Sequence, residues 1–368
     1  MRLPTTKLEL PSRSMKPHLL DLLPTSARDW MKAQGQPSYR GQQLRQAICQ
    51  SRVAEIAQIT ALPQQLREQL ATEFTLWTGQ IVRHLQAADG TEKLLIQWPD
   101  GGRIECVLLR DGDRRSICIS TQVGCAMGCV FCASGLDGVD RNLTAGEILE
   151  QILRLQRLLP TTERLSHIVV MGMGEPLANL DSLLLALDVA SDSQGLGISP
   201  RRITISTVGL PASMERLVAR QAKYQLAVSL HAPNDQLRDQ LVPVNRKIGL
   251  APVMDAADLY FQESGRRLTF EYVLLAELND RPEHARQLAA LLRGRTALLN
   301  VIPYNPVAGL PYQTPTPQAQ QRFREILERA GVNVQFRQRK GDAIEAACGQ
   351  LRRSTPPAAV PALVTKIE

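Results

Sequence analysis

The spacing of apolar residues changes character near residue 115. Before it, "PTSARDWMKAQGQPSYRGQQLRQAICQ" predicts two short helices broken at "GQP". "PQQLREQLATEF" predicts a third, with Leu66, Leu70 and Phe74 four apart on one face. "TEKLLIQW", a turn at "PDGG" and "RIECVLL" then predict a β-hairpin. Beyond it, strands alternate with helices, the signature of stacked βα units. The expected strands are "SICIST", "HIVVMG", "RITIST", "LAVSLHA", "LTFEYVLL", "LLNVIPYN" and "VNVQFRQ". Helices are expected at "TAGEILEQILRLQRLL", "LDSLLLALDVASD" and "PASMERLVARQ", the first opened by a capping box of Thr144 and Glu147. Residues 1–95 thus form an expected helical accessory module, 96–353 a βα domain with its leading hairpin, and the proline-rich 354–368 a flexible tail.

Alternation within the strands adds a direction. "SICIS" sets Ser116, Cys118 and Ser120 against Ile117 and Ile119. "RITIST" sets Thr204 and Ser206 against Ile203 and Ile205, and "LAVSLH" sets Ser229 and His231 against Val228 and Leu230. Strands apolar on one side and small-polar on the other fit a barrel wall, with helices outside and polar groups collected at the C-terminal mouth. The fold class expected is therefore α/β, a partial (β/α)6-type barrel. A doubly wound sheet with incidental polar positions is the alternative.

Composition narrows the class. A hydrophobic content of 44% with 21% charged residues is that of a globular domain. No apolar run approaches the roughly 18 residues that span a bilayer. The N-terminus carries charges and prolines where a signal peptide needs an apolar core. A cytoplasmic protein with no membrane association is expected, one in which clustered cysteines mean metal or redox chemistry more than disulfides. The net charge of +7 favours a polyanionic partner, while 4% aromatics argue against an extended base-stacking platform.

The candidate chemistry starts at "CAMGCVFC", which places Cys125, Cys129 and Cys132 in one loop after the first βα strand. Structural zinc usually takes four protein ligands, and no matching cysteine pair follows. An iron–sulfur cubane normally takes four thiolates, so three leave one iron open to a small molecule. An unrelated metal knuckle and inert thiols are the plainer alternatives. "MGMGEPL" follows the strand "HIVVMG"; the third glycine of a dinucleotide fingerprint would fall at Leu177, so that reading fails. Glycine there lets a ligand approach the backbone, although a tight strand-to-helix turn needs it equally.

The C-x3-C-x2-C spacing resembles the radical S-adenosylmethionine (SAM) enzymes, in which SAM chelates the open iron and is cleaved to a 5′-deoxyadenosyl radical. More closely, "CISTQVGCAMGCVFCASG…RNLTAGEI", "MGMGEPL", "ISTVG", "VSLHAPND", "IPYNP" and "GDAIEAACGQL" follow the order seen in the RlmN/Cfr family of radical SAM RNA adenine methyltransferases. The likeness covers nearly the whole chain, and favours the RlmN side. It implies that Cys125, Cys129 and Cys132 hold a 4Fe–4S cluster. It implies SAM contacts at Gly174, Glu175, Ser206, Ser229, His231 and Asn305. It makes Cys348 the methyl carrier: its S-methyl group loses hydrogen to the radical and adds to an electron-poor adenine ring carbon. Cys118 then matches the resolving thiol, which forms a disulfide with the carrier, and Glu105 the proton acceptor. Core packing is the plainer reading of Cys348 and Cys118, and a solvated hairpin charge that of Glu105. Cys49 and Cys106 match no functional position.

The resemblance implies methylation of carbon 2 of an adenosine in 23S rRNA, and of adenosine in some tRNAs. Cfr-type methylation of carbon 8 and a non-methylating RNA-binding relative are the alternatives. It further implies an RNA-binding N-terminal module, a flavodoxin- or ferredoxin-like electron donor and a monomer. Arg201, Arg202, Arg337, Arg339, Lys340, Arg352 and Arg353 are candidate phosphate contacts.

Overall fold

The computed structural model describes residues 16–221, 223–337, 351–352, 355 and 364–367. It begins with helices α1 (Leu19–Leu22), α2 (Ala27–Ala33), α3 (Arg40–Cys49) and α4 (Gln64–Glu73). Gly35, at φ +67, ends α2 where "GQP" was expected to break the helix. Leu66 and Leu70 are buried on one side of α4, and Phe74 meets Trp30 edge-on at 5.7 Å.

Strands β1 (Gln80–Ala87), β2 (Glu92–Gln97), β3 (Arg103–Asp111) and β4 (Arg114–Cys118) form an antiparallel meander. The expected hairpin is β2–β3, its turn closed by Trp98 N donating to Gly102 O at 2.8 Å. β1 was not anticipated, and residue 95 falls inside β2.

The βα part follows as β5 (Gln122–Gly124), β6 (Val139–Asn142), α5 (Ala145–Arg157), β7 (His167–Val170), α6 (Leu180–Ser191), β8 (Ile203–Thr207), α7 (Pro211–Ala219) and β9 (Gln225–Ser229). It continues through α8 (Asp235–Leu241), α9 (Asn245–Ile248), α10 (Leu250–Ser264), β10 (Leu268–Leu274), α11 (Pro282–Leu292), β11 (Ala297–Pro303), α12 (Pro317–Arg329) and β12 (Val334–Phe336). The capping box opens α5 as expected: Thr144 Oγ1 accepts from Glu147 N at 3.1 Å, and Glu147 Oε2 accepts from Thr144 N at 2.9 Å. A last strand, β13 (Val364–Ile367), runs parallel to β1. That corrects the expectation of a wholly flexible tail, because main-chain pairing along an open sheet edge needs no amphipathic pattern.

All strands but β5 and β6 join one sheet, in the order β12-β11-β10-β9-β8-β7-β4-β3-β2-β1-β13. From β4 through β12 the neighbours are parallel and sequential. A doubly wound sheet would reverse order at a switch point; this one does not, so the partial-barrel reading stands and its alternative falls. Among the described residues the sheet stays open.

Its two faces divide as alternation predicted. Ile117, Ile168, Ile205, Val228, Phe270 and Val301 are all fully buried on the helix-covered face, in one apolar core that runs from Leu19 to Leu327. The N-terminal helices share that core. They are also pinned to α5, where Gly146 N donates to Asp21 Oδ1 at 2.6 Å. The inner face carries Cys118, Val169, Thr204, Ser206, Ser229, Glu271 and Asn300.

Candidate active site

The three thiols lie in the loop between β5 and β6, which pair antiparallel. Gly124, at φ +81, makes the turn possible: a Cβ there would sit 2.1 Å from Gly138 O, which accepts from Cys125 N at 2.7 Å. Cys132 N donates to Cys129 O at 3.1 Å, and Val130 N fastens the loop to α8 through Leu241 O at 3.1 Å. Phe131 lies in a second apolar cluster with Val208, Ala232, Leu275 and Tyr304, against which Cys129 and Cys132 pack. Those four partners stand just past the C-terminal ends of β8, β9, β10 and β11. The loop therefore covers the barrel mouth.

Burial pushes the Cys125 thiol up to about 12 and Cys129 well above the ordinary thiol value, and repulsion from neighbouring thiolates adds to both. The three sulfurs thus feel one another inside an apolar sheath. Among the described residues no three His, Cys, Asp or Glu side chains are close enough to hold a single metal ion. The donor set fits a 4Fe–4S cluster, where each thiolate takes a separate iron.

Gly174, at φ +98, turns the chain after β7. A Cβ there would lie 2.6 Å from Gln122 Cβ, so only glycine fits against the start of the cysteine loop. Next to it, Glu175 N donates to Gln122 Oε1 at 2.8 Å. The buried Glu175 carboxylate accepts from Leu177 N at 3.0 Å and Val208 N at 2.9 Å, tying β7 to the end of β8. Burial raises its pKa, and these hydrogen bonds oppose the rise. Ser206 and Ser229 place their hydroxyls 3.4 Å apart on neighbouring strands.

β9 ends at Ser229, two residues earlier than the alternation implied. His231 reaches the mouth in the left-handed region instead, at φ +59. Its Nδ1 accepts from Val273 N at 3.1 Å, and its ring meets Phe131 edge-on at 4.9 Å. Burial, helped by Arg238, pushes its pKa down to about 3. His231 is therefore neutral, with Nε2–H left as a donor. Asn305 follows Tyr304 beyond the end of β11, half-buried.

Cys118 ends β4 on the inner face, opposite Val107 and Val169. Glu105 lies one same-face step along β3 from Val107 and is buried at 2% exposure, not solvated. Its carboxylate pairs with the fully buried Lys93 at 2.7 Å and accepts from Arg352 N at 2.6 Å. The backbone at residue 352 is thereby held beside Glu105. Cys348 itself lies outside the described residues, as do Arg339, Lys340 and Arg353. Cys49 and Cys106 are fully buried, and burial raises both thiols far above reactivity.

Two of the candidate phosphate contacts fall far from the mouth. Arg201 and Arg202 lead into the N-terminal end of β8, opposite the loop. Sequence reasoning also missed four residues. Lys93 neutralises Glu105, Arg238 sits wholly buried behind Cys129, and Glu271 receives a 2.7 Å bond from Asn300 on the inner face beside Ser229. The signal for Glu271 and Asn300 was available, since alternation in "TFEYV" and "LLNVI" points both inward.

The description of the Radical SAM superfamily matches residues 119–289. The chain is 64% identical over 339 residues to the "Probable dual-specificity RNA methyltransferase RlmN" of Rhodopirellula baltica, covering 92% of this chain and 91% of that one. It is 48% identical over 327 residues to the protein so named from Symbiobacterium thermophilum, covering 88% of each. The crystal structure of a radical SAM methyltransferase from Sphaerobacter thermophilus superposes with a TM-score of 0.87 at 41% identity, over 91% of this chain and 98% of that one. With cysteine loop, glycine turn and inner-face thiol in place, the chain belongs to the RlmN family of radical SAM RNA methyltransferases.

Proposed function

We propose that this chain methylates carbon 2 of an adenosine in 23S rRNA, and of adenosine in some tRNAs. The observation that carries the reading is the position of the three-thiol loop over the mouth of a sheet whose inner face presents Cys118 and Glu105. When bound, the cluster and SAM supply one-electron chemistry able to take hydrogen from an unactivated methyl group. Cys125, Cys129 and Cys132 hold the cluster. Gly174, Glu175, Ser206, Ser229, His231 and Asn305 bind and orient SAM; the neutral imidazole offers Nε2–H, and the serine hydroxyls donate from one face.

Carbon 2 of adenine is electron-poor and does not attack a methyl donor, so a thiol must carry the methyl first. Cys348 takes that role. With one hydrogen already taken from it, its S-methyl carbon bonds to the ring; Glu105 accepts the ring proton, and the electron released with it would leave through the cluster when bound. Cys118 then attacks the carrier sulfur, the S–S bond forming as the S–C bond to RNA breaks, and a proton, equivalent to the one Cys118 gives up, completes the new methyl group. Lys93 fixes the position of the Glu105 carboxylate through their buried 2.7 Å ion pair. We further assign residues 1–95 to RNA binding, and the protein to the cytoplasm as a monomer reduced by a flavodoxin- or ferredoxin-like donor. No helix among the described residues is long and apolar enough to cross a membrane.

Anaerobic reconstitution with iron, followed by deuterated SAM and an rRNA fragment, tests the reading when mass spectrometry locates the label. Label on carbon 2 is expected. Label on carbon 8 sinks the assignment, and SAM cleavage without an RNA product points to a non-methylating protein. Retained product in Cys348→Ala would overturn the carrier role.

A further inference from the structure

Arg238 on α8 is 0% exposed, and each hydrogen bond of its guanidinium among the described residues ends on a neutral oxygen. Nε donates to Leu230 O at 3.0 Å, Nη1 to Asn245 Oδ1 at 2.5 Å, and Nη2 to Val208 O at 2.5 Å and Ser229 O at 3.0 Å. The nearby carboxylates, Asp235 and Asp239, are engaged by Asn245 Nδ2 at 2.8 and 2.6 Å, and Asp235 is exposed to solvent. The helix that carries Arg238 also carries the cysteine loop. The geometry behind this is direct: Leu241 O of the same helix accepts from Val130 N, and Leu237 and Leu241 belong to the apolar cluster against which Cys129 packs.

A buried cation without an anionic partner is expensive, because carbonyl dipoles replace only part of its hydration. The group expected beside Cys129 supplies the missing anion. Three thiolates outweigh the dipositive core of an oxidised 4Fe–4S cubane, and accepting an electron adds a further negative charge. We propose that Arg238 is the fixed counter-charge of the cluster, a positioning residue that favours its reduced state and locks Ser229 and Val208 to the same point. The proposal rests on Cys125, Cys129 and Cys132 being the cluster ligands. The electron comes from an external low-potential reductant, and no proton moves at Arg238.

The test is anaerobic reconstitution of the full chain and of Arg238→Gln and Arg238→Lys, with iron and sulfide counted per chain. Thermal melts follow, and midpoint potentials are read from redox titrations followed by electron paramagnetic resonance. Arg238→Gln is expected to make the cluster at least tenfold harder to reduce, a drop of about 59 mV for one electron. Arg238→Lys, which keeps the charge and loses the fork, should melt lower yet stay nearer the wild-type potential. Equal potentials in all three, with lowered melts in both variants, would mean a structural clasp only and overturn the proposal. Should Arg238→Gln not fold, Arg238→Met carries the test, since an apolar side chain of similar length is often tolerated where a charge was buried: a lower potential is expected, and an unchanged potential overturns the proposal. A wild-type chain that binds no cluster overturns the cysteine assignment and the proposal together.

Discussion

In the parallel half of the sheet, β7 to β11 all end on the same side, so Gly174, Glu175, His231 and Asn305 arrive at one mouth without any strand bending. In the meander, neighbouring strands run in opposite directions and their turns scatter to both ends. It contributes through its face instead: Lys93, Glu105 and Cys118 project mid-strand or at a strand end onto the inner surface. Loops at strand ends are free to change chemistry while the scaffold stays fixed. Residues inside a strand are held by packing on all sides, which suits a buried base and a thiol that must meet a fixed partner. On the roles proposed above, the parallel half would hold the cofactors and the antiparallel half would finish the reaction on RNA.

Removing a residue from each half should separate the two. In the parallel half, Cys129→Ala is expected to abolish both iron binding and methyl transfer; a variant that keeps the visible absorption of an iron–sulfur cluster would break the comparison. In the meander, Lys93→Met takes from the buried Glu105 the lysine of its ion pair, a loss on the order of 3–5 kcal/mol in chemical denaturation. Cluster loading should survive wherever that variant folds. The pair Lys93→Met with Glu105→Leu should regain much of the stability and none of the methyl transfer. For scale, Arg216→Ala, from a pair whose side chains are 57% and 80% exposed, should change stability by less than about 1 kcal/mol.

The same division explains what could be read from the sequence. The cysteine loop and the glycine turn are contiguous, so their spacing carries their chemistry. Alternation correctly placed Ser206 and Ser229 on one face. It carried His231 to the right side for the wrong reason, since the strand has already ended there and a left-handed residue makes the turn. Glu105 was harder. Its register partner across the hairpin is Leu95, while Lys93 stands opposite Val107, so the ion pair is diagonal and leaves no mark in either strand. Arg238 in "NDQLRDQL" reads as one more charge on a helix surface, and only the packing of α8 against the strand ends turns it inward. β13 carries no amphipathic signal at all.

A smaller effect follows from Glu271, which is 6% exposed on the inner face of the parallel half. Burial raises its pKa from 4.5 to about 7, partly opposed by the Asn300 hydrogen bond and by Arg337. Between those values the folded chain holds a proton that the unfolded chain releases, so stability is lost as pH rises through this window and levels off above it. Glu271→Gln removes that loss. The variant should match the wild type near pH 4.5 and exceed it at pH 8 by on the order of 3 kcal/mol. His231 works in the opposite sense, losing stability as pH falls from 6.5 towards about 3, and cancels in the difference because both proteins carry it. A wild-type minus variant difference flat with pH would show that Glu271 is not buried in its charged form.

A further comparison sets two glycines side by side, both in the βα half and both at positive φ. Gly197 lies at φ +65 with nothing within 4 Å of where a Cβ would stand, whereas at Gly174, φ +98, the added carbon meets Gln122 at 2.6 to 2.8 Å. Gly197→Ala should therefore cost only backbone strain, about 1 kcal/mol. Gly174→Ala adds a steric collision to that strain, and about 2 kcal/mol in total is expected. The collision also pushes on Gln122, whose amide oxygen accepts from Glu175 N and whose strand β5 leads directly into Cys125. Gly174→Ala should accordingly weaken SAM binding, read by equilibrium dialysis, well beyond what its stability loss explains, while Gly197→Ala leaves it unchanged. Equal effects of the two alanines on SAM binding would mean that the close approach at Gly174 serves the fold alone.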